Sequence, residues 1–150
     1  MRRMSPRKSD LTIPNNMPLP AIHQFLAGFR HGDAISNSAL VLRRVFRGWG
    51  RNSELACEVS RTDPLVRGEV REAAELGRSM RDDDIALLHL SIGSAVNALF
   101  PQLRCRKAIL YHNVTPAHYF RFCNPALAED LRRGRRQAAA LAGVAEGNLA

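Results

Sequence analysis

The chain has 150 residues, of which 45% are hydrophobic and 24% charged, and its net charge is +8. That is room for one domain with its own core. It excludes a disordered polyelectrolyte and two ordinary domains, and no run reaches the roughly 18 apolar residues of a membrane span. Lys8 and Lys107 are the only lysines among the 22 basic residues. So strong an arginine bias reflects codon usage as readily as recognition, and a basic surface favours phosphates, anionic lipid headgroups or nucleic acid without choosing among them.

Residues 1–19 carry Arg2, Arg3, Arg7, Lys8 and the prolines 6, 14 and 18 without periodicity, and read as a disordered basic tail ahead of a domain over 20–150. No apolar h-region follows the basic start, so no signal peptide is read and the expected compartment is the cytoplasm. Met17 is an alternative start. "AIHQFLAGF" (21–29) reads as a first strand and its exit. "GDAISNSALVLRRVFRGWG" (32–50) reads as a helix with Asp33 as N-cap. Ile35, Ala39, Leu42, Phe46 and Trp49 fall on one apolar face, Asn37, Arg44 and Arg47 on the other, and Gly48 and Gly50 supply the stop. "SELACEV" (53–59) alternates as a second strand, while 60–81 is charged and ambiguous.

"DIALLHLS" (84–91) reads as a third strand, "SAVNALFPQL" (94–103) as a short helix broken near Pro101, and "KAILYH" (107–112) as a fourth strand. "NPALAEDLRRGRRQAAALAG" (124–143) reads as a helix capped by Asn124, with Pro125 in its first position and acids in its first turn. Its stripe is Leu127, Leu131, Gly134, Ala138 and Leu141. Glycine on that stripe implies close backbone packing, and Arg132, Arg133 and Arg136 are placed towards solvent. Cys57, Cys105 and Cys123 form no C-x-x-C pair, so they read as reduced thiols rather than a disulfide or zinc framework.

Strands alternating with helices, with apolar runs in the strands, imply an α/β fold: an open parallel sheet with helices on both faces. Ligands in such sheets bind outside the carboxyl ends of the strands. Three polar stretches stand there: "FRHGDAISN", "HLSIGS" and "YHNVTP". The first, with Gly32 and Asp33, opens a helix whose N-terminus suits a phosphate or is simply capped. His89 and Ser91 end the third strand, where the histidine reads as a satisfied core residue or a substrate contact. His112 stands at the very end of the fourth strand, before Asn113 and Thr115, and is read as a ligand contact or a structural residue with equal weight. No G-x-G-x-x-G, P-loop or G-x-S-x-G pattern occurs, and no histidine has metal-ligand spacing, so neither metal nor cofactor is expected.

Taken together, "IHQFLAGFRHGDAISNSALVLRRVFRGWG", "LLHLSIGS", "ILYHNVTPAHYF" and "LRRGRRQAAAL" resemble, in this order, the N-terminal half of bacterial family 4 glycosyltransferases. The resemblance covers residues 20–150 and implies the incomplete N-terminal, acceptor-side half of a GT-B fold, with a Rossmann-like open sheet. It further implies a retaining hexosyltransferase-like activity in which a second domain, absent from this sequence, binds a nucleotide-sugar. On that analogy His112 is the catalytic residue in the cleft, and Gly32, Asp33, Asn37, His89, Ser91, Asn113 and Thr115 contact substrate. This chain carries Gly32-Asp33 where many members have Gly-Gly. Such a half-enzyme is expected to be inactive alone. Its expected partners are a separate donor-binding domain, a second copy of itself, or the inner face of a membrane. The rival readings are a split-enzyme subunit and a small basic nucleic-acid-binding protein. The latter is disfavoured by 6% aromatic content and the lack of a nucleic-acid motif.

Overall fold

The structure, a computed structural model, describes residues 17–150, so most of the basic tail read for 1–19 lies outside the described residues. Six parallel strands form one sheet: β1 (Ile22–Leu26), β2 (Leu55–Cys57), β3 (Val70–Glu72), β4 (Ile85–Leu90), β5 (Arg106–Tyr111) and β6 (Gly147–Leu149). Their order across the sheet is β3-β2-β1-β4-β5-β6, the doubly wound arrangement of Rossmann-like α/β domains. The four strands expected from sequence are present. β3 and β6 are additions, each of three residues and with no residue fully buried, so neither leaves a periodic apolar signal. β2 is buried at all three positions; the alternation in its sequence is therefore not an alternation in exposure, because helices cover both faces.

One face is covered by α1 (Ala34–Gly48), where Ala39 and Phe46 pack on Leu26, Leu55, Ile22 and Leu87. The other face takes α2 (Ala73–Ser79), α3 (Ala95–Leu99) and α4 (Pro125–Leu141). There Leu76, Val96, Phe100 and Leu141 close over Phe25, Leu88 and Ile109. Phe25, Phe100 and Leu88 are wholly buried, and each such side chain stabilises the fold by about 2 kcal/mol through loss of apolar surface to water. α1 stops as expected: Gly50 takes φ +74°, its N–H donates to Arg47 O, and Arg51 N–H donates to Phe46 O, the Schellman pattern.

Three expectations need correction. Trp49 is not on the buried face of α1; it is the C-cap, 62% exposed, with its ring tilted against Phe46. The first turn of α4 holds no acid, because the helix starts at Pro125 and Glu129 and Asp130 fall in the second turn. Arg133 does not face solvent with Arg132 and Arg136: it is half-buried, with a buried, unpartnered Nε, because it flanks Gly134 on the side where α4 touches the sheet's loops.

Candidate functional site

All strands are parallel, so Gly32, Ser91 and His112, which follow β1, β4 and β5, share the carboxyl edge of the sheet. The chain leaves β1 towards β2 and later returns to β4 on β1's other side. The winding direction reverses between these neighbours, which opens a crevice there. A cleft of about 290 Å³ occupies it, lined by Gly28, Arg30, Asp33, Arg61, Ser91 and Leu127 among others.

Its α4 side is built by close backbone approach. A Cβ on Gly134 would lie 2.7 Å from Gly93 N and 2.9 Å from Ile92 C, and Gly93 N–H donates to Asp130 O at 3.0 Å. This is the close packing that glycine on the α4 stripe implies. Gln137 then clamps the loop: its Nε2 donates to Ser94 O, and its Oε1 accepts from Ser94 N–H and Asn97 Nδ2. Arg61 lines the cleft and donates to Gly93 O and the Asp130 carboxylate.

The opposite side is held by side chains. Asp33 Oδ2 accepts from both the N–H and the hydroxyl of Ser36 at 2.9 Å, and Ser36 Oγ accepts from Arg30 N–H. A carboxylate therefore fills the place on Ser36 N–H that a phosphate oxygen would take. Gly32, at φ +74°, makes the turn into this cap. Asn37 is exposed on α1 and is not among the residues lining the cleft.

Beside the cleft, three polar side chains run across the α1 face of the sheet. Gln24 on β1 is wholly buried and donates through Nε2 to Ala39 O at 3.0 Å. Its Oε1 lies 2.9 Å from His89 Nε2, and His89 Nδ1 lies 2.9 Å from His112 Nε2. His89 is 1% exposed, so it has no face for a ligand and acts on His112 instead. Burial, and then the neighbouring His112, push the His89 imidazole down to about 3. His112 is half-buried. Burial holds it below its ordinary value, while the Asp33 carboxylate pulls the other way.

The loop after β5 has its own logic. His112 N–H donates to Leu90 O, which seats the residue beside the end of β4. Asn113 has φ 61°, the left-handed region that asparagine tolerates better than most side chains. That turn buries Val114, whose N–H donates to the Tyr111 hydroxyl and whose carbonyl accepts from Arg135 Nη2. Asn113 thus also serves the turn, and both it and Thr115 are exposed. Sequence reasoning missed Gln24, Arg61 and Gln137. Gln24 had a signal, an amide inside the apolar run "AIHQFL"; Arg61 and Gln137 had none, since each sits among other polar residues. Among the described residues, no three His, Cys, Asp or Glu side chains group as a metal site, and no helix is long and apolar enough to cross a membrane.

Fold and site define a Rossmann-like α/β domain whose crevice lies at the switch point of its sheet, flanked by a tethered histidine. Comparison with protein-family models, curated proteins and solved structures gave no match.

Proposed function

We propose that this domain is the acceptor-side half of a retaining glycosyltransferase of the family 4 type, which moves a sugar from a nucleotide-sugar to an acceptor hydroxyl. In that reaction the bond from the anomeric carbon to the leaving diphosphate breaks. The acceptor oxygen bonds to that carbon on the same face, and its proton passes to the departing diphosphate oxygen. The observation that carries the reading is His112: an imidazole fixed at the carboxyl end of β5 by its neighbour His89, at the sheet edge where the switch-point cleft opens, although His112 is not among the residues lining that cleft. The four stretches of sequence resemblance converge on the same edge. "GDAISN" caps α1, "HLSIGS" forms the loop clamped on α4, "YHNVTP" carries His112, and the glycine of "LRRGRRQ" admits the clamped loop.

On this reading donor binding belongs to a second α/β domain, in the same or a separate chain, and the half described here contributes acceptor contacts and the His112 imidazole. The test is transfer from a panel of nucleotide-sugars by the chain alone and together with a donor-binding domain. The expected result is no turnover alone and turnover in combination. His112→Ala should lower kcat per folded molecule about a hundredfold, as loss of a contact to developing charge does, and should also lower the thermal midpoint, because the buried His89 Nδ1 loses its partner. Undiminished turnover in a folded His112→Ala variant would remove the histidine from the mechanism. Salt-sensitive binding of generic nucleic acid, without any nucleotide-sugar effect, would overturn the reading itself.

A further inference from the structure

The Gln24, His89 and His112 row is more than a buried polar cluster, because its donors and acceptors can be assigned from one end to the other. Gln24 is central: on β1 it pairs in register with Leu55 of β2 and Leu87 of β4, positions where an apolar residue would pack without any need for hydrogen bonds. An amide nitrogen only donates and an amide oxygen only accepts. The bond from Gln24 Nε2 to Ala39 O therefore fixes which way the amide is turned, and its Oε1 faces His89. Because Oε1 cannot donate, His89 Nε2 must carry the proton. A neutral imidazole has one proton, so His89 Nδ1 is bare and accepts from His112 Nε2–H. The two rings are nearly coplanar, with an interplanar angle of 9° and centroids 5.1 Å apart. With the nitrogens 2.9 Å apart, that is an edge-to-edge hydrogen bond and not a face-to-face stack.

What is left is His112 Nδ1. It has no hydrogen-bond partner among the described residues, and it is not among the buried polar atoms that lack one. It therefore faces solvent. The Asp33 carboxylate, from the cap of α1, acts on this ring by its charge.

We propose that Gln24 and His89 are positioning residues that lock the His112 imidazole in its Nε2–H tautomer and in one plane, so that Nδ1 is the atom presented to a ligand. Nδ1 is then an acceptor for a hydroxyl of the substrate, and a proton taken up by His112 lands there. The orientation begins at a helix backbone carbonyl, so it is set by folding and is in place before any ligand arrives. The bearing of this lock on sugar transfer rests on the glycosyltransferase reading; the lock itself does not.

The test is made on the full chain without ligand. In long-range proton–nitrogen spectra of histidine-labelled protein near neutral pH, His89 and His112 should each show a single Nε2–H tautomer, with a slowly exchanging Nε2 proton on His112. Exposed His31 and His118 should show averaged tautomers and serve as internal references. Gln24→Met keeps the volume and removes the fixed carbonyl. His89 is then free to exchange tautomers, and the His112 Nε2 proton should exchange about tenfold faster, the effect of weakening one net hydrogen bond. Where that variant does not fold, His89→Met gives the same comparison. An averaged or Nδ1–H tautomer on His112 in the wild-type chain overturns the proposal. So does an unchanged His112 signal in a folded variant. A locked tautomer in a chain that fails to support transfer with any donor domain would remove the glycosyltransferase reading and leave the lock standing.

Discussion

The two sides of the cleft are held by different physics. On the α4 side, backbone meets backbone. Gly93 and Gly134 approach so closely that no Cβ fits at either, and the N–H of one loop donates directly into the helix. On the α1 side, polar side chains do the holding: Asp33 on Ser36, Ser36 on Arg30, and Gln24 between Ala39 and His89. Glycine serves both sides for unrelated reasons. At Gly134 the need is space. At Gly32 a Cβ would meet nothing within 4 Å, and the need is the φ of +74°. The Gly93–Gly134 backbone contact itself tolerates no change of shape and carries no titratable group. A side built by side-chain hydrogen bonds can answer to protons and ligands.

The largest expected effect tests the rigid side. Gly134→Ala should cost about 3 kcal/mol, since the new methyl meets backbone that can yield only by moving the β4–α3 loop or α4. The loss should show as a lower urea midpoint of the same size at neutral and mildly acidic pH. A variant as stable as the parent would mean the two backbones are not in contact.

Acid should act on the other side. His89 has an ordinary value of 6.5 and a folded-state value of about 3. Between these limits the unfolded chain binds a proton that the folded chain refuses. Stability is therefore full above pH 6.5 and falls as the pH drops towards 3. From His89 alone the loss is on the order of 2–3 kcal/mol by pH 4.5. His112 and His23, also lowered chiefly by burial, act in the same direction. A His89 resonance that titrates between pH 5 and 7 in the folded protein would contradict this and bring the two sides back to one description.

The smallest effects separate space from conformation within the α1 side. Gly32→Ala should cost about 1 kcal/mol, the penalty of a Cβ in the left-handed region, and Gly32→Asn should recover part of it. Asp33→Ala should also cost about 1 kcal/mol through the lost cap. Thermal midpoints of these three variants place them in order. An alanine at 32 as costly as one at 134 would erase the distinction.

By itself the sequence determined the class of the fold, because apolar runs of strand length alternating with striped helices have few solutions other than a covered parallel sheet. It also determined where α1 and α4 begin. Asp33 and Asn124 cap as read, since capping is a contact between residues three apart. The close approach at Gly134 was legible for a similar reason: a glycine on an otherwise apolar stripe has a short list of uses. The tertiary structure alone decided the rest. β3 and β6 exist because a neighbouring strand pairs with three residues that have no pattern of their own. That Asn113 takes a left-handed turn shows only in its φ of 61°. Gln24, 65 residues from His89 along the chain, meets it only because β1 and β4 lie side by side in the sheet. That register turns an amide in a buried strand into the group that orients a histidine two strands away, and no spacing in the sequence records it, because strand order is settled by how the whole chain packs.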